Sequence, residues 1–126
     1  MALDLALDCL SEAVTSLGCT ADYSFLTGDL NVDLMKRIDS HTSRTINFLE
    51  MYGYKQLVSK PTRIAKYSET LIDLLCCSPC DIKHTILIQH NQDLSDHAIV
   101  VGVFDISKPQ IANHKFRSRC FAKIDM

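Results

Sequence analysis

Asp73 stands in the middle of the run Thr70-Leu71-Ile72-Asp73-Leu74-Leu75-Cys76, and this placement constrains the fold more tightly than any other feature of the chain. The run is β-like and mostly apolar, so it reads as a buried strand. An ionised carboxylate in such a strand is costly unless it is paired, hydrogen-bonded or bound to a cation. The fold must therefore bring Asp73 a partner. His97 is the candidate, because a carboxylate that accepts a hydrogen bond from one imidazole nitrogen fixes the ring and raises its basicity.

The elements around that strand follow from periodicity. Leu3, Leu7, Leu10, Val14 and Leu17 recur at alternating spacings of four and three, one stripe of a helix, with Gly18 placed to stop it. Residues 23–27, Tyr-Ser-Phe-Leu-Thr, read as a short buried strand that runs into the polar turn Gly28-Asp29-Leu30-Asn31. Asp39 or Ser40 can cap a second helix that carries Ile46 and Leu49 on its inner face and ends near Gly53. Residues 55–58 form a short strand that Pro61 terminates, and residues 62–69 are polar enough for a surface loop. Residues 85–89 give another strand, and residues 98–104, Ala-Ile-Val-Val-Gly-Val-Phe, a last core strand. Pro109 marks the domain's edge, which divides the chain into a domain over residues 1–105 and a basic tail or linker over residues 106–126. Helix, strand, helix and then several strands predict a layered α/β fold whose polar turns collect at one rim of a sheet.

Composition excludes some classes. With 126 residues and 47% apolar content the chain can build a single packed core. No run of about 18 apolar residues exists to span a bilayer, and Asp4 and Asp8 stand where a signal peptide needs positive charge. The expectation is a soluble, intracellular protein of the nucleus or cytoplasm with no membrane partner. Six cysteines in a chain with regular apolar patterns predict reduced thiols rather than a disulfide scaffold. A net charge of −2 gives no overall basic field. Its distribution is uneven: residues 1–35 hold six acidic side chains and no Lys or Arg, whereas from Ser107 onward Lys108, Lys115, Arg117, Arg119 and Lys123 stand against Asp125 alone. Such a tail either touches phosphates or is a solvated chain end.

Three polar clusters sit beside apolar strands: Gly28-Asp29-Leu30-Asn31, Thr70-Leu71-Ile72-Asp73 and Ser95-Asp96-His97. Each alone is an ordinary loop or strand end. Together and in this order they resemble the Gly-Asp-hydrophobe-Asn, hydrophobe-Asp and Ser-Asp-His motifs of the endonuclease/exonuclease/phosphatase family. Gly53-Tyr54-Lys55-Gln56-Leu57-Val58, followed by Lys60-Pro61-Thr62-Arg63, is similar in particular to the apurinic-endonuclease-like domain that accompanies the reverse transcriptase of non-LTR retrotransposons. The resemblance spans roughly residues 3 to 104.

The resemblance implies a metal-dependent phosphodiesterase, a DNA endonuclease, with the family's layered α/β sandwich. In it Asp29 would orient or deprotonate the attacking water, and Asn31 would donate hydrogen bonds to the phosphate. His97, held by Asp73, would contact a phosphate oxygen, and Asp96 would help to hold Mg2+, or Mn2+ in its place. Thr70 and Arg63 would serve substrate binding, Arg63 at the phosphate backbone. Family members also carry an Asn, a metal-binding Glu and a Tyr or His upstream of the helix with which this chain begins. Only the carboxy-terminal half of the domain is therefore expected here, with DNA and the missing amino-terminal half as partners. Little activity of its own and apolar strand faces prone to self-association are the corollaries. Two other readings share the motifs: a catalytically dead interaction module, and a phosphatase of the same family.

The remaining reactive side chains have plainer readings. Cys77-Ser78-Pro79-Cys80, with Cys76 before it and His84 after, has the spacing of half a zinc site or of a redox pair. No second cysteine pair lies nearby, and the motif follows a strand where a thioredoxin-like pair opens a helix. Cys9, Cys19 and Cys120 are isolated. His41, His84, His90 and His114 read as surface or capping residues, and Asp4, Asp8 and Glu12 as a solvated helix face.

Overall fold

The leucine stripe forms α1, Ala2–Gly18, which buries Leu3 and Leu7. The computed structural model describes residues 2–18, 21–107, 115 and 117. β1, Ser24–Asp29, follows, and then α2, Ser40–Met51, whose inner face is Thr42, Thr45, Phe48 and Leu49. Asp39 occupies the N-cap position of α2 but offers its carbonyl, to Ser43 N–H, rather than its carboxylate. The helix ends in a Schellman motif: Gly53 adopts φ +72°, its N–H donates to Glu50 O, and Tyr54 N–H reaches back to Leu49 O.

β2 is Lys55–Gln56, β3 Arg63–Ala65, β4 Ser68–Thr70, β5 Asp73–Ser78, β6 His84–Gln89 and β7 Ile99–Phe104. All pairings are antiparallel: a three-stranded sheet in the order β1-β5-β2, a β3–β4 hairpin and a β6–β7 pair. The chain is thus mixed α/β, with helices beside small antiparallel sheets. Successive side chains of a strand point to opposite faces, and the central strand uses both. Leu74 and Cys76, with Leu26 of β1, join Leu3, Leu7, Phe48, Leu49 and Tyr54 in the core beneath the helices. On the opposite face Phe25 meets Phe104 of β7 edge to face, with ring centroids 4.7 Å apart. Gly102 is what allows β7 to approach there, since a Cβ would stand 2.8 Å from Leu75 Cδ2 and 2.7 Å from the Phe104 ring.

Three expectations change. The stretch 62–69 is not a loop but the β3–β4 hairpin, because Thr62 N–H donates to Thr70 O and ties the polar segment into a ladder. Asp73 opens β5 instead of lying inside a strand that starts at residue 70. The last strand is not the core strand the run suggested but is covered on its inner face only, and Ile99, Val101 and Val103, 57%, 42% and 64% exposed, form an open apolar face of the kind expected above. Of the basic tail, Lys115 and Arg117 are exposed, while Lys108, Arg119 and Lys123 lie outside the described residues, as do Cys19, Cys120, Pro109 and His114. Among the described residues no helix is long and apolar enough to cross a membrane.

Candidate active site

The β1–β5 ladder sets the geometry. Its register places Asp29 directly opposite Asp73, and side chains at facing positions lie on the same face of the sheet, about 4.5–5.5 Å apart at Cβ. Two like charges at facing positions repel, so the pair calls for positive charge or a hydrogen-bond donor between them. His97 supplies it. Its Nδ1 lies 3.0 Å from Asp73 Oδ2, and its Nε2 lies 4.0 Å from Asp29 Oδ2.

His97 reaches this position through the β3–β4 hairpin. Its backbone forms an isolated antiparallel bridge with Arg63. Ile64 N–H donates to Asp96 O at 2.9 Å, and Ala98 N–H donates to Thr62 O at 2.6 Å. The Ser95 hydroxyl accepts a hydrogen bond from His97 N–H at 3.1 Å, a local Ser turn that shapes the Ser-Asp-His segment. Thr62, fully buried, completes the frame: its hydroxyl oxygen accepts from Ile72 N–H and Asp73 N–H at 3.2 and 3.1 Å. One threonine therefore fixes the start of β5 through its side chain and the segment after His97 through its carbonyl.

Asp29 is held from the other side. Asn31 sits in the left-handed region at φ 53° and donates its backbone N–H to Asp29 Oδ1 at 2.7 Å, a local Asx turn that Asn tolerates well. That anchors one carboxylate oxygen and leaves Oδ2 toward His97. The 4.0 Å between Asp29 Oδ2 and His97 Nε2 exceeds a hydrogen bond. It leaves room for one oxygen atom, of water or phosphate, to contact both groups. With Nδ1–H directed at Asp73, Nε2 faces this gap as acceptor when the ring is neutral and as donor when it is protonated.

Asp96 stands apart from that trio. Its Oδ2 accepts from Arg63 Nε at 2.8 Å, and this hydrogen bond, with the nearby guanidinium charge, lowers its pKa below the ordinary carboxylate value. The metal role expected of Asp96 thus meets a carboxylate already engaged by Arg63. Among the described residues the group able to share an ion is Asp29, Asp73 and His97, one ligand atom from each and all within 4.8 Å of one another. Thr70 closes β4 opposite Arg63 in the hairpin register and is half-buried. An open cleft of about 840 Å³ runs along the hairpin past Lys66, Tyr67 and Glu69 and reaches the site at Asp96. At its tip Tyr67 is 88% exposed, with Lys66 Nζ 5.1 Å from the ring centroid.

Asp29, Asn31, Arg63, Asp73, Asp96 and His97 all stand at this rim or in direct contact with it. Sequence reasoning missed Thr62 as the residue that unites the segments. The signal was present, since a threonine between Pro61 and Arg63 in a stretch read as a loop has no evident use for a buried hydroxyl unless strands meet there. No family model, no curated protein and no solved structure matches the chain.

Proposed function

We propose that this rim is the phosphate-handling site of a divalent-cation-dependent phosphodiesterase acting on DNA, built on the α/β sandwich of the endonuclease/exonuclease/phosphatase type. The observation that carries the reading is the Asp29–His97–Asp73 constellation. Two carboxylates forced into register by the β1–β5 ladder share one imidazole, an arrangement with little structural use and a clear chemical one. Water placed in the 4.0 Å gap gives its proton to Asp29 Oδ2 while its oxygen accepts from His97 Nε2, and Asp73 keeps the ring aligned. Arg63, oriented by Asp96, presents its remaining N–H groups to a phosphodiester oxygen. Asn31, whose backbone N–H is tied to Asp29 Oδ1, stands beside the rim, where its side-chain amide would be a neutral donor to the charge that builds on phosphorus.

The donor set fits a hard divalent cation. Asp29 and Asp73 offer carboxylate oxygens, which suit Mg2+ and Mn2+ alike. When bound, such an ion neutralises the facing carboxylates and polarises a phosphoryl oxygen. The Lys66–Tyr67 tip adds a cation and an exposed ring for contact with a nucleic-acid strand.

The test is hydrolysis of supercoiled plasmid and of bis(4-nitrophenyl) phosphate, with Mg2+ or Mn2+, by the purified chain and its Asp29→Ala and His97→Ala variants, alongside calorimetric Mn2+ titration. Mn2+ binding that weakens in Asp29→Ala, with any cleavage falling about 100-fold or more in both variants, supports the reading. Cleavage that persists in both variants, or a chain that neither binds Mn2+ nor cleaves, refutes it.

A further inference from the structure

Three cysteines crowd the end of β5, and their environments separate them. Strand alternation turns Cys76 toward the helices, where it is fully buried, contacts Gln56 Oε1 at 3.6 Å, and has its pKa pushed up to about 12 by burial and by Cys77. Cys77, one residue on, points to the opposite face. Its thiol donates to Pro79 O at 3.4 Å, so the turn after β5 folds back over the sulfur. The next residue along that turn is Cys80, which the fold-back of the turn brings next to Cys77. Cys77 is fully buried, whereas Cys80 is half-exposed, and all three thiols are free. No Asp, Glu or His joins Cys77 and Cys80 in a group of three metal ligands among the described residues, so this cysteine pair lacks the set that zinc needs.

We propose that Cys77 and Cys80 are a redox modification site that closes reversibly into a disulfide by exchange with a low-molecular-weight disulfide such as oxidised glutathione. The half-exposed Cys80 reacts first. Its thiolate attacks one sulfur of the oxidant, forming a mixed disulfide and releasing one thiolate. The Cys77 sulfur then attacks Cys80 Sγ, closes the four-residue ring and releases the second. Two protein thiols are oxidised, one external disulfide is reduced, and the two protons pass to the two released thiolates. Burial, Cys80 and Asp81 all raise the Cys77 pKa, which leaves the half-exposed Cys80 as the thiol that reacts first. Closure pins the connection from β5 to β6, next to the buried Ile82. It stands independently of the phosphodiesterase reading.

The experiment equilibrates the full chain in buffers of graded reduced and oxidised glutathione, then alkylates under denaturing conditions and maps peptides by mass spectrometry. The expected result is that Cys77 and Cys80 lose reactivity together, with a mass lower by two hydrogens in a peptide that joins them. The Cys76→Ser variant should behave the same, and in Cys80→Ser the remaining Cys77 should stay reduced. Because Cys76 and Cys77 are both buried, the unsubstituted chain and Cys80→Ser decide the matter without relying on either buried variant to fold. Three results would overturn the proposal: both thiols still alkylated in the most oxidising buffer, a glutathione adduct that accumulates on Cys80 without ring closure, or pairing that involves Cys76.

Discussion

Thr62→Val tests whether one buried hydroxyl organises the site. Valine keeps the shape but removes the oxygen that accepts from Ile72 N–H at 3.2 Å and Asp73 N–H at 3.1 Å. A buried donor left without an acceptor costs about 1–3 kcal/mol. Ile72 is buried and bears that cost in full; Asp73 is half-buried and recovers part of its loss from water. The sum is about 2–4 kcal/mol, a large share of the roughly 5–15 kcal/mol that holds a domain of this kind together. At about 3–6 °C per kcal/mol for a chain of this size, melting should fall by roughly 10 °C. Thr62→Ser retains the oxygen and loses only a methyl, worth about 1 kcal/mol. Urea unfolding of the three proteins gives the comparison, and amide exchange at Ile72 and Asp73 locates it. If Thr62→Val is as stable as Thr62→Ser, or if those two amides exchange no faster, the hydroxyl is not what holds the start of β5.

The other predictions are local. Asp29→Asn keeps an oxygen to accept from Asn31 N–H but removes one of two facing charges; in chelator it should stabilise the fold by about 0.2–1 kcal/mol, and it should lose any rise in melting temperature on adding Mn2+. A destabilised Asp29→Asn in chelator would mean that His97, 4.0 Å from Asp29 Oδ2, offsets the repulsion in full. Asp96 has a folded pKa below its ordinary value of 3.8, so the Arg63 contact contributes at neutral pH and is lost only as pH falls through that lowered value, below 3.8. Carboxyl NMR titration should return Asp96 toward the ordinary range in Arg63→Gln, and an unchanged midpoint would discount the contact. Gly53→Ala places a Cβ at φ +72° and 3.2 Å from Ser78 Oγ, which should cost about 1–2 kcal/mol in urea unfolding, while Gly53→Asn should cost less because Asn tolerates this region; equal costs would count against backbone strain.

Much of the layout was legible because its signals are local. The four-three leucine stripe needs only helical geometry, and α1 follows it from Ala2 to Gly18. β1 and β6 are each within two residues of the runs that announced them. The β3–β4 hairpin was not legible for a physical reason. Its residues, Arg63, Ile64, Ala65, Ser68, Glu69 and Thr70, have neither strict alternation nor a strongly apolar face. What makes them a hairpin is pairing with distant backbone: Asp96 O takes Ile64 N–H, and Thr62 O takes Ala98 N–H. Such bonds leave no trace in a window of ten residues. The open apolar face of β7 agrees with the expectation of uncovered strand faces, since a continuous apolar run states that a strand can be covered on both faces but not that both covers are present.

The site divides along the same line. The need of Asp73 for a donor was a statement about one carboxylate beside apolar neighbours, and His97 at 3.0 Å meets it. The position of Asp29 opposite Asp73 could not be read from either motif, because it depends on the register of a ladder between strands more than 40 residues apart in sequence. That register changes the chemistry. Read as separate motifs, Asp29 is a lone base and Asp73 a lone orienter; read in register, they are a like-charged pair whose repulsion is relieved by one imidazole or by a cation. Asp96, adjacent to His97 in sequence, lies outside the trio. At the turn that Ser95 shapes, His97 is sent toward Asp73 while Asp96 is taken up by Arg63. Under the proposed function, cation binding at Asp29 and phosphate contact at Arg63 would be separable. Asp29→Asn should weaken the first and spare the second, and Arg63→Gln should do the reverse, because the two carboxylates that serve them face different ways.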